Sequence, residues 1–446
     1  MSGQSSASTV SQRLAGLLAR RPGPDDRRRA ALHLLDWTGC AAAALPSPAA
    51  SSMRKAAEPA VQNRDWQGLA LYLGALGNVL EMDDVDKRGL LHPGPVVIPA
   101  ALIAAGAAGA SDEVMLDAIV RGYEATIRVG RAVGPGHYRY WHNTSTCGPF
   151  GAAAAASSIL GLDAGQTAEA LGLAGTQASG LWQARHESRS SAKQLHTARA
   201  AHAGLLAANL VNAGFVGLTT ILEGEQGFFA AMAPGAEPAH VAVLRDGWAI
   251  NDVSFKPWPA CRHAHAAIDA ALALHADGTK SDNVISGCIF AYADAATFCD
   301  NPAPRDPLSA KFSLQHSVAS ALVHGSPRLE HFDDVGLADH RVKQVRERLV
   351  VRVDPEIEAR YPTRFGARLR VKLRGGGEVE FDAPDAFGDP ENPMTAFDIQ
   401  EKFRMLCDSA QISSRAQEEM LGCVDGPSPG ASLRDAALGL LIGRSS

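Results

Sequence analysis

The chain has 446 residues, 46% of them hydrophobic and 20% charged, the balance of an ordinary folded protein long enough for two or three domains. A net charge of -6 and a pI near 6.2 give no general attraction to nucleic acid or to an anionic membrane, so any anionic ligand needs a local cluster of cations. Seven cysteines stand far apart with no C-x-x-C, which argues against a disulfide framework and a structural zinc and fits a reducing, cytoplasmic compartment.

The first 24 residues carry Arg13, Arg20 and Arg21, several serines and no acid, a faint likeness to a mitochondrial transit peptide. Within them VSQRLAGLLARR also reads as a first amphipathic helix. The most apolar run, LLHPGPVVIPAALIAAGAAGA from Leu90 to Ala110, is broken by His92, prolines and glycines; it predicts a loop feeding a buried helix, and no membrane span. In SDEVMLDAIVRGYEATIRVGRAVG, Ser111 caps a helix, Asp112 and Glu113 suit its positive end, and Leu116, Ile119, Val120, Tyr123 and Ile127 form a core stripe. FGAAAAASSILGLD predicts a helix starting near Phe150 and ending at Gly161. Asp163 and Gln166 form a capping box for the next helix, and LHTARAAHAGLLAANLVNAGF stops at Gly214. Small residues on so many helices imply a compact multi-helix domain.

After about residue 280 the period changes toward two. NVISGCIFAYAD and VRERLVVRVD read as strands, and ARLRVKLRGGGEVEFDAP as a hairpin turning on its glycines. The expected register sets Arg374 opposite Glu378, Lys372 opposite Glu380, Leu373 opposite Val379 and Val371 opposite Phe381. The row Arg368, Arg370, Lys372 and Arg374 then reads as a solvated face with acidic partners, not as a nucleic-acid surface. From NPMTAFDIQEKFRMLC onward the pattern returns to helix. The chain is therefore mainly α, with an α+β segment inserted in a helical protein.

Four polar stretches carry residues able to do chemistry. LEMDDVDKRGLLHPG offers Glu81, Asp83, Asp84 and Asp86, followed by His92. It lacks the spacing of a calcium loop and suits a general acid or base, or an exposed acidic loop. In GHYRYWHNTSTCGPFG, His142 precedes Thr144, Ser145 and Thr146 at a helix entrance, a place suited to proton transfer on a bound anion. Cys147 would be a nucleophile only with a base beside it. SSAKQLHTARAAHAG places Lys193 before an apolar helix, with His196 and Arg199 able to share one face. FKPWPACRHAHAAID packs Lys256, Cys261, Arg262, His263 and His265 together; metal site, activated nucleophile and anion cradle are all open readings, although the two histidines would diverge on a helix.

Taken together, these stretches resemble the MmgE/PrpD family, which includes 2-methylcitrate dehydratases, cis-aconitate decarboxylases and iminodisuccinate epimerases. The resemblance rests on the acidic loop with His92-Pro93, WHNTSTCGPFGAAAAA, AKQLHTARAAHAG, FKPWPACRHAHAAID, AKFSLQHSVASALVHG and GDPENPMTAFDIQEKFR, in that order over most of the chain. It implies a helical domain from residues 1–257 and 394–446, an inserted α+β lid at 258–393, a homodimer, and chemistry on a small di- or tricarboxylate without metal or cofactor.

Carried over by position, the resemblance makes His142, Lys193, His92 and Glu81 the catalytic candidates. Lys256, Arg262, His265, Asp84, Thr144 and His316 become the substrate-binding ones, and FKPWPACRHAHAAID an anion cradle centred on Lys256. Several positions depart from the family's pattern: Glu81 for an Asp, Val85 for a hydroxyl residue, Gly94 for Ser, Gln194 for Pro and His316 for Tyr. Pro257 and Cys261 stand where decarboxylase-like members have Arg and His. The implied reaction is proton abstraction next to a carboxylate. Dehydration of a 2-methylcitrate-like hydroxy acid is the leading expectation, with epimerisation of an amino-dicarboxylate, decarboxylation, or carboxylate binding without turnover as alternatives.

Overall fold

The computed structural model describes residues 8–63, 65–187, 190–425 and 432–443. It is mainly helical with one four-stranded sheet, as the two periodicities predict. Among the described residues no helix is long and apolar enough to cross a membrane. The chain forms two compact units: Met1–Val79, Asp83–Val253 and Ala396–Ser446 make the first, and Leu80–Met82 with Ser254–Thr395 the second.

In the first unit, helix Asn143–Ile159 packs against both Asp112–Ala132 and Ala192–Asn212. Their small residues set how closely they approach. A Cβ on Gly122 would stand 2.8 Å from the Gly151 carbonyl oxygen, and one on Gly151 would stand 2.7 Å from that of Gly122, so neither position admits a side chain. The predicted caps form: Ser111 accepts from the Val114 amide, and Asp163 and Gln166 make the reciprocal box. Val10–Leu18 is a helix capped by Thr9, whereas residues 1–7 of the transit-like segment lie outside the described residues. On Asp112–Ala132 the stripe is buried at Ile119, Val120, Tyr123 and Ile127, but Leu116 is only half-buried and Met115 fills the core instead.

One helix starts earlier than its sequence suggests. The expected start near Phe150 is corrected to Asn143, because the amides of Ser145 and Thr146 already donate to the His142 carbonyl. Pro149 thus sits inside the helix, and Thr144, Ser145 and Thr146 lie in its first turn rather than before it. That start makes His142 the residue at the helix entrance.

The second unit is built on the sheet, in the order β2 (Leu349–Val353), β1 (Val284–Ala291), β3 (Ala367–Leu373), β4 (Glu378–Ala383). β1 and β2 run parallel, the other pairs antiparallel. Helix His340–Arg346 takes the start of VRERLVVRVD, so the strand there begins only at Leu349. The hairpin register also differs from expectation by two residues: Lys372 faces Glu378, Arg370 faces Glu380, Val371 faces Val379 and Leu369 faces Phe381. The cause is the turn. Gly375 and Gly376 take φ of 102° and 92°, the Leu373 amide donates to the Gly377 carbonyl, and the Arg374 amide donates to Asn283, leaving the hairpin ladder. A shift of two preserves the faces: Leu369 and Val371 are buried, while Arg368 and Arg370 lie over the Phe290 ring and pair with Asp354, Glu378 and Glu380.

The two chain ends meet in the first unit through a buried ion pair, Lys402 Nζ to Asp36 Oδ1 at 2.6 Å, which joins helix Ala396–Ser409 to helix Pro24–Ala44. Removing one partner leaves a buried charge alone. Lys402→Met is expected to destabilise this unit by about 3–5 kcal/mol, and adding Asp36→Leu to recover most of that loss. Urea denaturation of the three proteins checks both statements.

Candidate active site

The loop from Asp83 to Pro93 carries His92, and a buried carboxylate organises it. Asp84 accepts from the Tyr123 hydroxyl at 2.6 Å, from His33 Nδ1 at 2.7 Å and from the Gly94 amide at 3.0 Å. Burial pushes His33 down to about 4, so its ring is neutral and its one proton sits on Nδ1 against Asp84, and it raises Tyr123 well above its ordinary value, so the phenol keeps its proton. Gly94 permits the approach: a Cβ there would stand 2.7 Å from Asp84 Oδ1. The Asp84 side chain, expected to bind substrate, thus meets three protein donors in this structure.

The same loop orients His92. Its Nδ1 lies 2.7 Å from the Asp84 carbonyl oxygen and 3.0 Å from Asp83 Oδ2, two acceptors. Nδ1 therefore carries the proton, and in the neutral ring Nε2 holds the lone pair. The His92 amide donates to Thr144 Oγ1 at 3.0 Å, which ties the loop to the helix entrance. Asn143 adds a second tie, donating to the Gly89 carbonyl at 2.7 Å. Thr144 thus acts through its hold on His92. Leu90, with φ of 50°, is in the left-handed region that a leucine rarely takes, at a cost of about 1–3 kcal/mol.

His142 is 1% exposed. Its ring stacks on Trp182 at 4.4 Å and 13°, and its Nδ1 is 3.2 Å from His196 Nδ1. Burial, then the charges of Lys193, His196 and His92, hold His142 well below the ordinary histidine range. It is neutral at pH 7 and able to accept a proton. Lys193, in the first turn of helix Ala192–Asn212, is half-buried and adds to the lowering of His196 as well. His92, His142 and Lys193 thus act on one another within this unit. Burial holds the Cys147 thiol up at about 12, which leaves it no role as a nucleophile.

Sequence reading passed over Trp182 and the contact of His196 with His142. His196 was grouped with Arg199, whose Nη1 is instead engaged with His202 at 3.2 Å. The available signal was the spacing of three from Lys193, which sets His196 on the lysine's face of the helix. Trp182 left no signal, since a short loop tryptophan reads the same stacked or free.

In the second unit, Lys256 is 1% exposed, and its Nζ lies 4.0 Å from Glu81 Oε2. Glu81 has φ of 59°, a strained conformation for a residue with a side chain. Phe255, just before the lysine, donates its amide to the Gly388 carbonyl. The other expected ligands have protein partners. Arg262 pairs with Asp389 and lies over Phe365, while His265 Nε2 is 3.2 Å from the Ala260 carbonyl. His316 is fully buried between the His331 carbonyl at 2.8 Å and Arg346 Nη1 at 3.3 Å, and burial lowers it to about 4. His263 and His265 diverge as expected, His263 meeting the Tyr292 hydroxyl at 2.7 Å. Among the described residues no cluster of three or more His, Cys, Asp or Glu side chains is placed to hold a metal ion.

Residues 11–240 match the MmgE/PrpD N-terminal domain and residues 258–425 the MmgE/PrpD C-terminal domain. The chain is 30% identical over 380 residues to the cis-aconitate decarboxylase-like protein oryM of Aspergillus oryzae, covering 79% of this chain and 77% of that protein. It is 25% identical over 365 residues to a cis-aconitate decarboxylase of Aspergillus terreus, covering 76% and 74%. Against the mitochondrial 2-methylcitrate dehydratase of Yarrowia lipolytica the identity is 26% over 245 residues, 52% of this chain and 47% of the relative.

Cys261 offers a chemical probe of the Lys256 region. A hydrogen bond with Cys299, the His263 amide and the charge of Lys256 bring its thiol down to about 7 against the pull of burial. Alkylation of Cys261 by iodoacetamide is expected to reach half its maximal rate near pH 7, with Cys147 unlabelled. Replacing Lys256 by Met should move that midpoint upward, and peptide mass spectrometry reads both.

Proposed function

The chain belongs to the MmgE/PrpD family, and we propose that it is an enzyme that moves a proton next to a carboxylate of a di- or tricarboxylic acid. A proton on such a carbon is weakly acidic. Its removal needs a neutral base in place and a positive charge to meet the enolate that forms. The observation that carries the reading is His142 buried in the first unit, stacked on Trp182 and 3.2 Å from His196, where burial and the charges of Lys193, His196 and His92 keep it neutral. His142 takes the proton, Lys193 neutralises the developing charge, and His92 exchanges a proton with the leaving or returning group. In the second unit, taken by itself, Lys256 beside Glu81 is a buried cation able to pair with a carboxylate.

Within that class, elimination of water from a 2-methylcitrate-like hydroxy acid uses all three groups. His142 breaks the C–H bond, the electron pair forms the alkene, and the departing hydroxyl leaves as water with the Nε2 proton of His92, which enters this step as the imidazolium and ends it as the neutral ring. Decarboxylation is the second reading, favoured by the 30% identity to a protein named cis-aconitate decarboxylase-like. There the C–C bond to the carboxylate breaks, carbon dioxide leaves, and the electron pair left on the carbon skeleton takes a proton from the His92 imidazolium.

Incubation of the purified protein with citrate, 2-methylcitrate and cis-aconitate, followed by proton NMR, separates the two. A new alkene signal from a hydroxy acid supports elimination, and loss of carbon dioxide from the unsaturated acid supports decarboxylation. Lys193→Ala is expected to lower turnover about 100-fold or more with an unchanged melting temperature. Full activity in that variant overturns the assignment of Lys193.

A further inference from the structure

His142 poses a problem that its own surroundings do not solve. A proton taken from substrate would leave a cation on a ring that is 1% exposed and already feels the charges of Lys193 and His92. The second nitrogen of the ring gives the solution. His142 Nδ1 and His196 Nδ1 are 3.2 Å apart, and two imidazole nitrogens at that distance need one proton between them.

The contact is built rather than incidental. The His142 amide donates to the Gly180 carbonyl at 2.9 Å, and the Trp182 amide to the Tyr140 carbonyl at 2.9 Å, which fixes the indole against the His142 ring. Ser145 donates through its hydroxyl to the His196 carbonyl at 3.4 Å, and its amide donates to the His142 carbonyl at 2.8 Å. Gly180, at φ of 121°, is where this loop comes closest: a Cβ there would stand 2.4 Å from Ser145 Oγ.

We propose that His196 is the proton acceptor behind His142, so that the two rings work as one relay. This rests on the reading of His142 as the group that takes the substrate proton. Before reaction, His142 holds its proton on Nδ1, shared toward the bare Nδ1 of His196, and presents Nε2 to the substrate. When the C–H bond breaks, its proton goes to Nε2 and its electron pair to the carboxylate-stabilised enolate. The Nδ1 proton then crosses to His196 Nδ1, so His142 stays neutral and the charge rests on the half-buried ring. Return of the protons reverses each transfer. Lys193, on the same helix as His196, opposes charge on either ring, and His92 opposes it on His142 alone. Moving the charge to His196 escapes one of the two.

The test pairs two variants with a spectrum. In His196→Ala and in His196→Gln, turnover of the acid found active is expected to fall about 100-fold with KM within about threefold of wild type. Glutamine can accept the hydrogen bond but cannot carry the proton. Restoration of the rate by glutamine would overturn the relay and leave His196 as a support for ring orientation only. Side-chain NMR of ¹⁵N-histidine-labelled free protein decides the matter even if no acid is turned over. Joint titration of the two rings over one pH range, changed for His142 by either His196 variant, supports the pair. Independent titration of each ring would overturn it.

Discussion

The constraint on which the site depends is the single carboxylate of Asp84, saturated by donors from three separate segments of the helical unit. Tyr123 comes from helix Asp112–Ala132, His33 from helix Pro24–Ala44, and the Gly94 amide from the start of the next buried helix. A buried carboxylate without such partners would be costly, and with them it cannot move. The backbone of the same residue then accepts from His92. The chain thus uses side chain and carbonyl of one aspartate for two purposes: the first anchors the loop, and the second fixes which nitrogen of His92 bears a proton.

A second device is the use of small residues. Alanine and glycine on the helices behind His142 and Lys193 let backbones approach to separations that a single methyl group would forbid, as at Gly122 and Gly151. The entrance of helix Asn143–Ile159 is therefore set by close-packed backbone, and His142 takes its position from that entrance. Rigid placement suits a group whose proton affinity is tuned by burial, since a small displacement toward water would undo the tuning.

Much of this was legible in the sequence, because the helical spacing, the caps and the change of period after about residue 280 are local signals. His92, His142 and Lys193 stood out for the same reason: each is an ionisable residue in an apolar setting, and such groups need partners. What the sequence withheld was the identity of the partners. Asp84, Arg262, His265 and His316 have the chemistry of substrate ligands, and each meets a protein group, near in the chain for His265 with the Ala260 carbonyl and far for Arg262 with Asp389 and His316 with Arg346. The hairpin register failed for a related reason. The glycine run fixes the turn only once the Arg374 amide is seen to bond to Asn283.

The central claim is that the first unit holds a base for a carbon acid. Its most direct test is deuterium incorporation: wild-type protein in D₂O with each carboxylate of the panel, the recovered acid read by mass spectrometry. The account predicts uptake of deuterium at the carbon next to a carboxylate, lost when His142 is replaced by Gln. Turnover of an acid with complete retention of protium at that carbon would contradict it.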